Sequence, residues 1–320
     1  MGTEHVDEAS HGGSTASGAD GEEYSLWNRA WARRPQSPEE LWAEIGFLSF
    51  SLGIETKFVW RGLPSTDFEV KSSLARRLIE QGIEPTEANL RFNEVRAIKA
   101  AREWGLGHSQ YGYASDLHLL ALMQHHGIPT RLVDVTYNPL TALWFACADP
   151  RLMDKPGVLV SMAVSAIPVI ETVPILPKEA TWGSVGDPLG FDYSQALGNS
   201  ASNRLPFLVQ PIVRDPRMTA QEGLFITASV PEQSDATPLW GFPYEADWTL
   251  LSWVREMKDL DMGIHGDRWP SFGTLGLIIE PEVKRKILPI LENSFNRSHR
   301  TMYPDLSGFG THKFGYSEAK

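Results

Sequence analysis

The chain has a single cysteine, no excess of basic charge and no long apolar run. Each shortage excludes something. Cys147 alone cannot close an internal disulfide, which fits a reducing, cytoplasmic setting. Nothing at sequence spacing lowers its thiol pKa, so it is a poor nucleophile. The formal charge of −11 over 320 residues argues against generic attraction to a nucleic-acid backbone, while leaving room for a local basic groove. No stretch reaches the roughly 20 apolar residues that span a bilayer, and the opening residues lack a basic region followed by an apolar run. Val6 stands where a myristoylation signal after Met1-Gly2 has Ser or Thr. No membrane partner is expected. The GxSxG, phosphate-loop and GxGxxG patterns are missing too, which removes the usual support for hydrolase, nucleotide-triphosphatase and Rossmann readings. Of the nine histidines, His118 lies seven and eight residues from His125 and His126, not the i, i+4 pair of a helical zinc site. No metal is expected, and the last two suit a helix C-terminus as imidazolium.

What remains is a globular composition, 42% hydrophobic and 22% charged, sized for one large domain or two small ones. Residues 1–24 carry six acids and no Lys or Arg, leaving −5 for the rest. With Val6 as the one branched aliphatic there, this segment is expected to be a disordered acidic tail. Residues 25–320 are expected to form one domain. Ser37 caps a helix whose box Glu40 closes, with Leu41, Trp42 and Ile45 inward. Phe58 to Gly62 is a short strand. Residues 74–104, broken at Pro85, and 115–126 are helical. Strands are expected at 157–167, 223–229 and 274–280, helices at 247–257 and from Pro281 on, and an irregular insert at 168–206. The tryptophans Trp42, Trp144 and Trp253 sit on apolar helix faces and belong to the core rather than to base stacking. Helices early and strands later, without regular βαβ spacing, predict an α+β (mixed α/β) fold.

Leu119 to Cys147 is the most telling stretch. Its helix stops at Gly127 with Pro129 behind, and a strand over 130–136 places Leu132, Asp134 and Thr136 on one face. Asn138 then caps a helix with Pro139 in its first turn and Leu140, Leu143, Trp144 and Cys147 as its inner stripe. Asp134 and Thr136 therefore meet beside a helix N-terminus, where ligands are often held. Arg131 joins them if the strand starts after it; the alternative is a buried Arg131–Asp134 pair that only ties strand to helix. Arg61 stands where a strand meets Gly62, whose missing Cβ gives a ligand room and whose neighbouring guanidinium forks onto phosphate. A plain salt bridge is the alternative for Arg61. Ser72, Ser73, Arg76 and Arg77 add anion-binding groups, and Arg217 and Gln221 bring another polar tip. Gln221 and Glu222 are consecutive, so one of them faces a given pocket.

Trp60-Arg61-Gly62, Ser73-Leu74 with Arg76, QHHGIPTRLVDVT-NPL-ALWFA from Gln124 to Ala146, Arg217 with AQEGLF, and MYPDLSG near the end together resemble the FRG domain family, over roughly 40–315. Trp60, Ser72 and Val135 depart from its commoner Phe or Tyr, Pro and Trp. A more distant similarity is to the Arg-Ser-Glu class of ADP-ribosyltransferases: Arg61-Gly62 is similar to their first element, Asp134-Val135-Thr136 with Ala142 and Phe145 to the second, and Gln221-Glu222 to the third. That resemblance implies a central split or mostly antiparallel sheet flanked by helices and an NAD-dependent ADP-ribosyltransferase or NAD glycohydrolase. It further implies a bacterial toxin or phage-defence effector, with NAD as substrate and a protein or nucleic acid as acceptor. Arg61, Gln221 and Glu222 would be catalytic, and Arg61, Gly62, Ser73, Arg76, Arg131, Asp134 and Thr136 would bind NAD. A non-catalytic nucleotide or nucleic-acid binding module and a protein-interaction domain are the alternatives.

Overall fold

A computed structural model of the chain describes residues 32–52, 57–109, 112–165, 167–172, 191–203, 205–212, 214, 216–230, 274–306 and 308–310. The expected acidic tail at 1–24 and the expected helix at 247–257 lie outside them. The strands are β1 (Ala32–Arg33), β2 (Phe58–Leu63), β3 (His108–Ser109), β4 (Gly112–Tyr113), β5 (Val133–Thr136), β6 (Gly157–Ala163), β7 (Val169–Thr172), β8 (Phe207–Pro211), β9 (Gly223–Thr227) and β10 (Thr274–Ile279). The helices are α1 (Pro38–Gly46), α2 (Ser73–Glu80), α3 (Glu87–Glu103), α4 (Asp116–His125), α5 (Pro139–Cys147), α6 (Phe191–Asn203), α7 (Pro216–Ala220), α8 (Pro281–Phe295) and α9 (His299–Met302). Among the described residues no helix is long and apolar enough to cross a membrane.

Eight strands make one sheet in the order β1-β10-β6-β2-β5-β9-β8-β7. Pairing is antiparallel except at the two edges, where β1 joins β10 and β7 joins β8 in parallel. The mixed α/β character and the mostly antiparallel sheet agree with the sequence reading. Side chains alternate across it as a strand requires. Val59 and Leu63, Val133 and Val135, Val158, Val160 and Met162, and Leu224 and Ile226 form one apolar face that crosses the sheet centre. The opposite face carries two separate packs. Trp60, Leu159, Leu277 and Ile279 meet α1, α5 and α8 through Leu41, Leu143, Ala146 and Ile287. Leu132, Phe207, Val209 and Phe225 meet α3, α4 and α6 through Ile98, Leu120 and Leu197.

The helices begin where local chemistry says they should. Ser37 accepts the Glu40 N–H and Asn138 the Leu140 N–H, each followed by proline at the first turn. Glu40 reaches the Gln36 N–H rather than that of Ser37, so the box closes one residue early. Gly127, at φ +77°, ends α4 in the left-handed region that glycine tolerates. Two expectations change. Trp42 is 40% exposed and stacks on Phe295 instead of entering the core. The stretch 168–206, expected to be irregular, contains β7 and α6. Tyr193, Ala196, Leu197 and Ser200 of α6 are buried at helical spacing; packing of that stripe outweighs the poor helix propensity of its Gly, Ser and Asn residues.

Candidate functional site

The two packs leave a gap on the helical face, and the sheet is weakest under it. β2 and β5 share one register pair, Trp60 with Thr136, whereas β2 is laddered to β6 over six pairs and β5 to β9 over four. Beyond that pair the strands diverge toward Leu63 and Val133. Arg61 fills the wedge. Its Nη1 donates to the Asp134 carbonyl and stands 3.8 Å from the Asp134 carboxylate, so a side chain takes up a backbone acceptor that the ladder leaves. The Arg61 side chain is 18% exposed, and its buried Nε has no acceptor. Burial, with Arg76 nearby, pulls its pKa down against the pull of Asp134.

A cavity of about 300 Å³ opens here, lined by Arg61, Gln124, Asp134, Phe145, Gln221 and Tyr303 among others. Gln124, at the end of α4, is oriented by two hydroxyls. Ser73 Oγ accepts the Thr130 N–H and Thr130 Oγ1 the Leu132 N–H; Thr130 Oγ1 donates to Gln124 Oε1 at 2.9 Å, and the Ser73 hydroxyl is shared between Gln124 Oε1 at 3.0 Å and the Thr130 carbonyl at 3.2 Å. The Gln124 NH₂ consequently points the other way, donating to Asp134 Oδ2 at 2.9 Å. The aromatic wall comes from α5 and the segment after α9. Tyr303 packs edge-on to Phe145 and stacks with His299 at 4.7 Å, while Arg217 lies over its ring at 4.3 Å.

The turn from α7 into β9 settles how Gln221 and Glu222 point. Glu222 has φ +50°, so the alternation of a strand does not apply there. Gln221 lines the cavity, its carbonyl accepting from Thr136 Oγ1 at 2.8 Å and its amide donating to the Met302 carbonyl at 2.9 Å. The Glu222 carboxylate instead accepts from Asn138 Nδ2 and Arg297 Nη2 at 2.8 and 3.0 Å. It ties the α5 N-cap to the chain after α8 and is not part of the cavity lining.

Of the residues singled out from sequence, Arg61, Gly62, Asp134, Thr136 and Gln221 come together in the cavity wall. Ser73 stands behind Gln124, and the exposed Arg76 is close enough to affect Arg61. Arg131 goes elsewhere. It is buried with Glu94 at 2.8 Å and Glu87 at 2.9 Å, not with Asp134. Burial would strip its charge, yet Glu94, Tyr193 and Glu87 hold it ionised and raise its pKa. Gly62 serves packing more than approach. A Cβ there would lie 2.6 Å from the Ala146 nitrogen and closer still to the Ala142 carbonyl oxygen, so α5 sits directly on β2. Burial pushes the Cys147 thiol up to about 12, which leaves it unreactive. Among the described residues no three His, Cys, Asp or Glu side chains gather as a metal site would require. Gln124, His125, Phe145 and Tyr303 were not singled out as site residues from sequence; the QHHGIP, ALWFA and MYPDLSG motifs were the available signals.

The family model of the FRG domain matches residues 56–155. That span holds β2, α2 to α5 and β5, and with them Arg61, Gln124, Asp134 and Phe145; Arg217, Gln221 and Tyr303 come from the chain beyond it. No curated protein and no solved structure matches the chain.

Proposed function

We propose that this chain, whose residues 56–155 form an FRG domain, binds NAD in the wedge between β2 and β5 and breaks its nicotinamide–ribose bond, as an ADP-ribosyltransferase or NAD glycohydrolase. The observation that carries the reading is Arg61: a largely buried arginine that lines a cavity in a gap of a mostly antiparallel sheet, beside an aromatic wall. A pyrophosphate oxygen would take an N–H from the edge of the guanidinium that lines the cavity. Arg217 and Arg76 add positive charge, and Phe145 adds an aromatic side chain to the lining. A volume of about 300 Å³ lies at the small end of ligand pockets and suits the nicotinamide-ribose end with its phosphate, the remainder extending outward.

A second reading, a nucleotide-binding module without turnover, draws on Glu222. The carboxylate of the Gln221-Glu222 pair is held by Asn138 and Arg297, and an amide stabilises an oxocarbenium ion poorly. One experiment separates the two. The purified chain is mixed with NAD, its melting temperature followed and free nicotinamide measured, with and without cell lysate as acceptor source. Stabilisation with release supports the enzyme; stabilisation without release supports the module; neither removes NAD from the site. Arg61→Ala belongs in the series only beside its own melting curve, because Arg61 also pins β2 to β5.

A further inference from the structure

We infer that Asp134 is the catalytic carboxylate of the NAD-cleaving reaction and that Gln124 positions it. This rests on the NAD reading above. Among the described residues Asp134 is the carboxylate in the cavity wall, its side chain 59% exposed and so open to a ligand. It stands on a strand laddered to β9 over its whole length, which fixes its backbone as precise chemistry requires. One oxygen, Oδ2, is taken by the Gln124 amide; the Ser73 and Thr130 hydroxyls at Gln124 Oε1 favour the orientation that turns its NH₂ to Asp134. The same hydroxyls tie α2 to the segment before β5, so the group that orients Asp134 is itself anchored to main chain. Three side chains, from α2, α4 and the segment before β5, converge to aim the one carboxylate on β5.

The aimed group suits the chemistry. The bond from ribose C1′ to the nicotinamide nitrogen breaks, and its electron pair returns to the ring, which leaves neutral. Positive charge spreads over C1′ and the ring oxygen, where the Asp134 carboxylate offsets it. Water or an acceptor hydroxyl then bonds to C1′ and gives its proton to Asp134, which releases it to solvent. NAD and water become ADP-ribose, nicotinamide and a proton. Arg61, 3.8 Å from the same carboxylate, holds the phosphates alongside.

The test compares wild type, Asp134→Asn and Gln124→Ala for NAD affinity by calorimetry and for nicotinamide release. Asp134→Asn keeps an acceptor for Gln124 and should fold and bind NAD, while release falls by about 10²-fold or more. Gln124→Ala should lower kcat with KM little changed, a split that a purely structural role would not produce. If wild type releases nicotinamide and Asp134→Asn does so at a similar rate, the inference is overturned and the NAD reading stands. If wild type binds NAD and releases none with any acceptor, or does not bind it, the NAD enzyme itself fails and the inference with it. A Gln124→Ala variant matching wild type in both constants overturns the positioning role alone.

Discussion

Gly62→Ala separates two reasons for a glycine beside Arg61. If the site needs a bare backbone for ligand approach, the variant folds normally and loses binding. The packing says otherwise. The added methyl would stand 2.6 Å from the Ala146 nitrogen, about 0.8 Å inside the 3.4 Å at which ordinary contact begins, and nearer still to the Ala142 oxygen. Both obstacles are backbone of α5, so no rotamer change relieves them and the helix must move off β2. Residues on that helix are tightly enclosed: Ala142, Leu143, Ala146 and Cys147 are 0 to 1% exposed. Overpacking a filled core costs about 1–3 kcal/mol, and a clash with two main-chain atoms belongs at the upper end, about 3 kcal/mol. Urea unfolding followed by far-UV circular dichroism measures it. Since Ala142 and Phe145 line the cavity, displaced α5 should also weaken ligand binding in the fraction that folds. Wild-type stability combined with lost binding would refute the packing argument and restore ligand approach as the reason for the glycine.

Three further perturbations follow from other parts of the molecule. Arg131→Met strands Glu94, whose side chain is 1% exposed, and is expected to cost about 3–5 kcal/mol in chemical unfolding; adding Glu94→Gln should recover part of that, and no recovery would argue against a charge effect. Glu222→Gln removes an ion pair to Arg297 from a side chain that is 44% exposed, so solvent screening limits the loss to under about 1 kcal/mol. A collapse of nicotinamide release in that variant, with stability intact, would return the catalytic role to Glu222. Burial pulls the His118 imidazole below its ordinary 6.5, so the unfolded chain takes up that proton first. The contribution is therefore whole above pH 6.5 and is lost as pH falls through the folded value. His118→Asn, which keeps a partner for Thr172 Oγ1, should flatten the melting temperature between pH 7 and 5; an unchanged slope would place the titration elsewhere.

What local chemistry governs is legible in the sequence. The caps at Ser37 and Asn138, the stop at Gly127 and the Asp134-Thr136 face of β5 all depend on neighbours within a few residues, and they form as read. Distance in sequence hid the rest. Arg131 finds its partners at Glu94 and Glu87, 37 and 44 residues away, and no spacing rule points there. The orientation of Gln221 and Glu222 turned on a positive φ at a residue other than glycine, where strand alternation gives no guidance. α6 escaped notice because Gly, Ser and Asn mask a stripe that only packing against Leu132, Phe207 and Val209 rewards. Tyr303 entered the site through a fold-back of the chain end onto α5 and α7, a contact made possible by topology alone.

The solitary Trp60–Thr136 match has a mechanical meaning. Ladder bonds stiffen a sheet against opening, and across this seam they all but vanish, so β1, β10, β6 and β2 constitute one plate and β5, β9, β8 and β7 another. The angle between the plates is set by the Arg61 guanidinium bonded to the Asp134 carbonyl and by the apolar face they share beneath. Cavity width therefore depends on the angle at which the two halves of the sheet meet. A molecule bonded to Arg61 on one plate and to Asp134 on the other would act as a splint across the seam.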